Sequence, residues 1–109
     1  MKPIAFVGSA LDELRDFPIG ARREAGHQLD HVQHGLDPDD WKPMTSIGPG
    51  VREIRVRDKA ATFRVIYIAA LAEAVYVLHA FQKKTRQTAK RDLDVAAARW
   101  RQISRGRAG

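Results

Sequence analysis

VREIRVRDKAATFRVIYIAALAEAVYVLHAF, residues 51 to 81, decides the fold. Its first seven residues alternate: Ile54 and Val56 share one side, while Glu53, Arg55 and Arg57 share the other. That period of two is the pattern of a half-exposed strand. ATFRVIYIA, residues 61 to 69, is apolar on both parities apart from Arg64, as expected of a central strand covered on both faces. AVYVLHAFQ, residues 74 to 82, reads as a third strand. The intervening DKAA and LAEA are far shorter than the crossover of about a dozen residues that parallel pairing needs. The three strands are therefore expected to form an antiparallel meander.

Upstream, PIAFVG at residues 3 to 8 is a short β-type run. Ser9 with Asp12 reads as a capping box opening a helix that carries Leu11, Leu14 and Phe17 on one side. Pro18 breaks that helix and suits the first turn of a second, in which Ala21, Ala25, Leu29 and Val32 recur at helical spacing up to Gly35. LDPDDWKPMTSIGPG, residues 36 to 50, is dense in turn formers and reads as loop, with Trp41 and Met44 tucked against the core. Downstream, Thr88 is expected to cap a last helix striped by Leu93, Ala96, Ala97, Trp100 and Ile103. The expected order is β-α-α-β-β-β-α, an α+β domain with helices on one face of an antiparallel sheet and the other face free for a ligand. Residues 1–109 read as one domain, with 104–109 a basic flexible tail.

Nineteen Lys and Arg against thirteen Asp and Glu give a net charge of +6 and a pI near 10.2. Polyanions are therefore the first partners to consider. The absence of cysteine excludes disulfides, thiol nucleophiles and Cys-based zinc sites. No stretch has the roughly 18 apolar residues of a membrane span, and the N-terminus lacks the pattern of a signal peptide. A soluble cytoplasmic protein with no membrane contact is expected.

Arg64 is the sharpest of the candidate site residues. A guanidinium in an apolar strand costs several kcal/mol to bury unpaired, so it must meet an acid, a backbone cluster or a ligand anion. Glu53 on the preceding strand is the nearest acid, and it could pair with Arg64 and orient it at once. The meander can bring Arg55, Arg64 and the Lys83-Lys84 end of the third strand onto one surface. His79 shares parity with Phe81 and Lys83, and so faces either the core or that surface. Tyr67 and Tyr76 read as packing residues with a wet hydroxyl, and an aromatic beside cations also stacks RNA bases. Phe81 reads as core. His27, His31 and His34 sit at helical spacing with no further ligand arranged beside them, so they read as a solvated face and no metal is assigned.

The order of elements, GVREIRVRDKAATFRVIYIA, and the ending VYVLHAFQKKTRQTAKRDLDVAAARW together resemble the RelE/ParE toxin superfamily, and most closely its phage-related HigB-like branch. The resemblance covers almost the whole chain and is strongest from residue 50 to 100. It implies a RelE-like fold and a toxin of a type II toxin–antitoxin system. The expected activity is ribosome-dependent mRNA cleavage that blocks translation, with the ribosome, mRNA and a cognate antitoxin of helix-turn-helix type as partners. Arg64 then corresponds to the arginine of the central strand, Arg55 to the cation of the preceding strand, and Lys83 and Lys84 to the cationic end of the last strand. The C-terminal tyrosine of some members has no counterpart here, and His79 stands as its candidate replacement.

Such cleavage uses the substrate's own 2′-hydroxyl as nucleophile and needs no metal or cofactor. The protein must align that group, move its proton, stabilise the phosphorane's extra charge and protonate the leaving oxygen. Arg64 is the candidate to grip the phosphate, since its planar fork pairs with phosphate oxygens. Arg55, Lys83 and Lys84 flank it, and a lysine among cations has its pKa pushed toward that of a usable base. His79, if exposed, is the candidate general acid. Arg52, Arg57, Arg86 and Tyr67 are the candidates for further RNA contacts. Two other classes stay open: a ParE-like inhibitor of DNA gyrase, and a nucleic-acid-binding domain without catalysis.

Overall fold

The computed structural model describes residues 1–108. Along the chain run β1 (Ile4–Phe6), α1 (Ala10–Arg15), α2 (Ile19–Gln33), β2 (Trp41–Pro43), β3 (Val51–Asp58), β4 (Ala61–Ile68), β5 (Val75–Lys83) and α3 (Lys90–Ala108). The strands form one sheet in the order β1-β5-β4-β3-β2. The meander is present: β3 pairs with β4 and β4 with β5, both antiparallel. Asp58 pairs with Ala61, which leaves Lys59 and Ala60 as a two-residue turn with Lys59 at φ +55°. Only a left-handed residue closes so tight a hairpin, a conformation that glycine adopts more readily than lysine.

The chain is α+β, but two expectations about its sheet need correction. β1 runs parallel to β5, so the sheet is mixed; everything between them in sequence, both early helices included, serves as the long connection that parallel pairing demands. The stretch expected to be loop also contains a strand, since Lys42 pairs with Glu53 and Trp41 with Ile54 at the sheet edge. An edge position tolerates Pro43, which has no N–H to offer a further neighbour.

Nor do the helices share a face. α1 and α2, with Phe17 from the link between them, pack through Leu14, Ala25 and Leu29 against Ile54, Val65, Tyr67 and Val77. α3 packs on the opposite face, where Leu93, Ala96 and Trp100 join Met44, Ile47, Val51, Ile66 and Leu78. β4 is apolar on both parities because both faces are covered, and the apolar stripe of α3 fits the second face. Gly48 lies so close to α3 that a Cβ there would come within 2.5 Å of Trp100 Nε1.

A bulge in β5 sets which side chains reach that second face. Tyr67 pairs with Val77 while Ile66 pairs with His79, so Leu78 is an extra residue in the ladder. One inserted residue exchanges the faces of everything beyond it. Val75 and Val77 therefore point toward α1 and α2, whereas Phe81, of the same parity, packs with the α3 cluster.

Helix ends follow local chemistry only in part. Gly35, at φ +83°, closes α2: its N–H donates to Val32 O at 3.0 Å and the Leu36 N–H to His31 O at 3.0 Å, the paired bonds of a Schellman motif. Pro18 occupies the N-cap of α2. Ser9 occupies the N-cap of α1 but its side chain makes no capping bond, so the expected capping box does not form. Thr88 does not cap α3 with its hydroxyl, which donates to Glu53 Oε2 at 2.9 Å instead. The segment expected to be a tail is helical as far as Ala108, and Gly109 of that segment lies outside the described residues.

Candidate nucleic-acid interface

α3 covers one end of the second sheet face, and the other end carries a band of charge. Across the strands, Arg55 is directly opposite Arg64, and Arg64 is opposite Phe81. One step further along, Arg57 is opposite Thr62 and Thr62 opposite Lys83. Like charges directly opposed on neighbouring strands destabilise a sheet unless an anion intervenes. Two carboxylates partly answer this. Glu53, with no exposed surface, lies 3.2 Å from Arg64 Nε and 3.8 Å from Lys42 Nζ, and Asp40 lies 3.6 Å from Arg55 Nη1.

Glu53 thus joins β2, β4 and, through the Thr88 hydroxyl, the approach to α3. The ion pair expected between Glu53 and Arg64 is present, and it fixes the guanidinium on the site face. It is off the line of the N–H, however, so Arg64 Nε and Glu53 Oε1 are buried without a completed hydrogen bond; Arg55 Nε is in the same position. Arg64 Nη1 donates to Phe63 O at 3.3 Å. Unpaired buried donors are uncommon in folded proteins and call for an explanation. Burial, with help from Arg55, holds the Arg64 pKa below its ordinary value, against the pull of Glu53 and Asp40.

Lys83 belongs to this cluster and Lys84 does not. The Lys83 pKa is lowered by desolvation and by the positive charges of Arg64, Lys42 and Arg55, with Glu53 opposing. Lys84 lies just past β5, exposed, on the rim of the cleft that leads toward α3. Lys42 was missed in sequence because it sits among prolines and aspartates that read as loop. Its one sequence-level signal was Trp-Lys-Pro before a buried Met44, a short edge strand.

His79 departs from the expectation of an exposed proton donor. It is 6% exposed, with Nδ1 2.9 Å from Glu13 Oε1 and Nε2 2.7 Å from Asp92 Oδ1. Arg99 closes the network, donating from Nη1 and Nη2 to the two Glu13 oxygens at 2.8 and 3.0 Å and from Nη1 to Leu78 O at 2.9 Å. The Ala80 N–H also reaches Glu13 Oε1 at 3.2 Å. Burial would raise the Glu13 pKa, but Arg99, His79 and Ala80 outweigh it and hold the carboxyl below its usual 4.5. With both ring nitrogens occupied, His79 ties α1, β5 and α3 together and stacks on Phe81, ring centroids 4.8 Å apart. The bulge at Leu78 turns the ring toward this network, a signal the parity of the sequence alone does not carry.

Residues 12–101 match the family described as phage-derived Gp49-like protein. The chain belongs to the Gp49-like family. A search of curated proteins finds no match.

In this Gp49-like chain, the remaining candidates divide between the two faces. Arg57 shares the face of Arg55 and is exposed, and Arg86 is exposed in the loop after β5. Arg52 and Tyr67 pair with each other across β3 and β4 but on the α2 side, so they do not join the Arg64 cluster. Arg52 stacks over Trp41 at 3.9 Å and pairs with Asp37 at 3.0 Å. Tyr67 is fully buried, so its hydroxyl is not wet as expected; desolvation raises its pKa although the adjacent Arg52 lowers it. Neither is available to stack an RNA base on the cation face. Among the described residues no helix is long and apolar enough to cross a membrane, and no group of side chains is arranged to hold a metal ion.

Proposed function

We propose that this chain is the toxin of a type II toxin–antitoxin system and acts as an endoribonuclease of the RelE/HigB-like kind, cutting mRNA on the ribosome. The observation that carries this is the placing of Arg55, Arg64 and Lys83 on one face at the open end of the sheet, with the buried Glu53 carboxylate holding Arg64 and Lys42 and Asp40 holding Arg55. Membership of the Gp49-like family supports the toxin assignment and, with it, an antitoxin partner. Four cations meet Glu53 and Asp40 there, a surplus of two positive charges, which suits a phosphorane that gains a second negative charge as the 2′-oxygen adds. Fixed charges in a site that need not reorganise are usually the largest catalytic contribution.

In this mechanism the 2′-hydroxyl gives its proton to the Lys83 amine as its oxygen attacks the adjacent phosphorus, and the bond to the 5′-oxygen breaks as that oxygen takes a proton from water. The products are a 2′,3′-cyclic phosphate and a 5′-hydroxyl. Arg55, partly exposed, holds the non-bridging oxygens with the donors it has not spent on protein acceptors, and Arg64, 6% exposed, adds its fixed charge. Lys83 is assigned the proton transfer, because desolvation and three neighbouring cations lower its pKa toward a useful range. Glu53 orients Arg64. His79 takes no proton-transfer role, since both nitrogens are engaged.

The test is translation in vitro with primer extension on the message, comparing wild type with Lys83→Met and Arg55→Gln, two partly exposed positions whose substitution leaves the core intact. Cleavage only with ribosomes present, lost by at least about tenfold in each variant as expected for general acid–base and phosphate-binding groups, is the expected result. Gyrase-dependent DNA breaks with intact message would assign the ParE-like activity instead, and RNA binding without scission would leave a non-catalytic domain.

A further inference from the structure

Between the end of β5 and the first turn of α3 lies a cleft of about 370 Å³, walled by Phe81, Gln82, Lys83, Lys84, Arg91 and Asp92. Sites for one small ligand begin near this size, at about 300 Å³. One wall is aromatic: Phe81 is held in orientation by its stack on His79, itself fixed by two carboxylates. Three walls are cationic, and none of Lys83, Lys84 and Arg91 forms an ion pair among the described residues. The one carboxylate, Asp92, is already engaged through Oδ1 by His79. Lys83 is shared with the Arg64 cluster, and Phe81 is the direct cross-strand neighbour of Arg64, so the cleft continues from the proposed cleavage site.

An aromatic wall with unpaired cations at its rim is the arrangement that holds single-stranded nucleic acid, because every base has a face to stack while the backbone meets the charges. We propose that this cleft is a one-nucleotide slot: the base beside the scissile phosphate enters against Phe81, and its phosphate meets Lys84 and Arg91. The position of the slot relative to the scissile bond rests on the nuclease reading above, but its binding does not. The Asp92 carboxylate, engaged by His79 through Oδ1 alone, offers a further acceptor to the base edge, so it is the residue that would set base preference.

The probe is a set of 2′-O-methyl RNA hexamers, which cannot be cut through the 2′-oxygen, bound to the full chain across a salt series and followed by fluorescence anisotropy. One abasic nucleotide is walked along the hexamer. In wild type, one abasic position should weaken binding about five- to tenfold, the lower part of the range for stacking because His79 already occupies one side of the ring. Phe81→Leu should weaken the intact hexamer by the same factor, remove the abasic penalty and leave the salt slope unchanged. Arg91→Ala should lower the slope by about 0.7, one phosphate contact on a single strand. If Phe81→Leu does not fold, the abasic walk on wild type and the exposed Arg91→Ala variant decide the matter. An abasic effect below twofold at every position, or an unchanged slope in Arg91→Ala, overturns the slot. Message cleavage is read separately: loss of base dependence with cleavage intact sinks the slot alone, and base dependence without cleavage sinks the nuclease alone.

Discussion

Replacing Glu53 by Leu should destabilise the fold more than any other single change at the cation face. The carboxylate has no exposed surface and answers Arg64 at 3.2 Å, Lys42 at 3.8 Å and the Thr88 hydroxyl at 2.9 Å. Breaking a buried ion pair by removing one partner costs about 3 to 5 kcal/mol, since the remaining charge is buried uncompensated. The Lys42 side chain is 35% exposed and can turn to water, whereas that of Arg64 is 8% exposed and cannot. Arg64 therefore dominates, and the expected loss is about 3 kcal/mol, at the low end of that range. For a domain of this size that corresponds to a fall in Tm of roughly 12 °C. Urea or thermal melts of Glu53→Leu, Arg64→Leu and the double variant make a complete cycle. If the effect is electrostatic, the double variant should recover to within about 1 kcal/mol of wild type, because two apolar side chains replace the pair. A loss below about 1 kcal/mol in Glu53→Leu, or a double variant no more stable than the single, would refute the account of Glu53 as the hub of the site.

Four further outcomes follow from contacts elsewhere. Lys83 has a lowered pKa in the folded chain, so the unfolded chain binds more protons just below the usual lysine value of 10.5. Stability should therefore rise with pH through that window, and the rise should be smaller in Lys83→Met when the two are compared by urea melts. Glu13 is lowered too, below 4.5, which for an acid favours the charged form in the folded chain, so its contribution is present above that value and lost as pH falls through its folded pKa. Glu13→Gln should flatten the acid limb of the stability profile. Gly48→Ala should lower stability by about 1 to 3 kcal/mol, the usual penalty for overpacking, and shift Trp100 fluorescence, since the new Cβ meets the indole at 2.5 Å. Lys59→Gly should raise stability by about 0.5 kcal/mol, the relief of a left-handed residue less glycine's greater freedom when unfolded; an unchanged or lowered melt would count against strain in that turn.

The central meander was legible because strand periodicity and short connections are local properties. That Arg55 and Arg64 could share one surface followed from them, and so did the ion pair with Glu53; that the two arginines are directly opposed is set by the register. What could not be read were facts about partners. An apolar stripe shows that the last helix is buried but not on which face, and β1 contains nothing that names β5 as its neighbour. β2 was hidden because proline and aspartate dominate its surroundings, and edge strands need little β propensity of their own. Within the site, sequence supplied the cations but misjudged their weights: Lys83 and Lys84 look alike until the pleat separates them, and Arg52 and Tyr67 are one residue out of phase with the face that matters. His79 looked like a chemical group and proved to be a structural one, because Glu13 and Asp92 lie 66 and 13 residues from it along the chain.

The extra residue at Leu78 makes the two halves of β5 answer to opposite rules. Before it, odd positions must suit the α1–α2 interior; after it, odd positions must supply an aromatic and a lysine to a basic surface. Losing a single residue there would not shorten the strand so much as invert its outer half, sending Phe81 and Lys83 toward the helices and bringing Ala80 and Gln82 to the surface where RNA is proposed to lie. Substitutions along β5 can be absorbed one at a time, but changes in its length can be tolerated only in pairs.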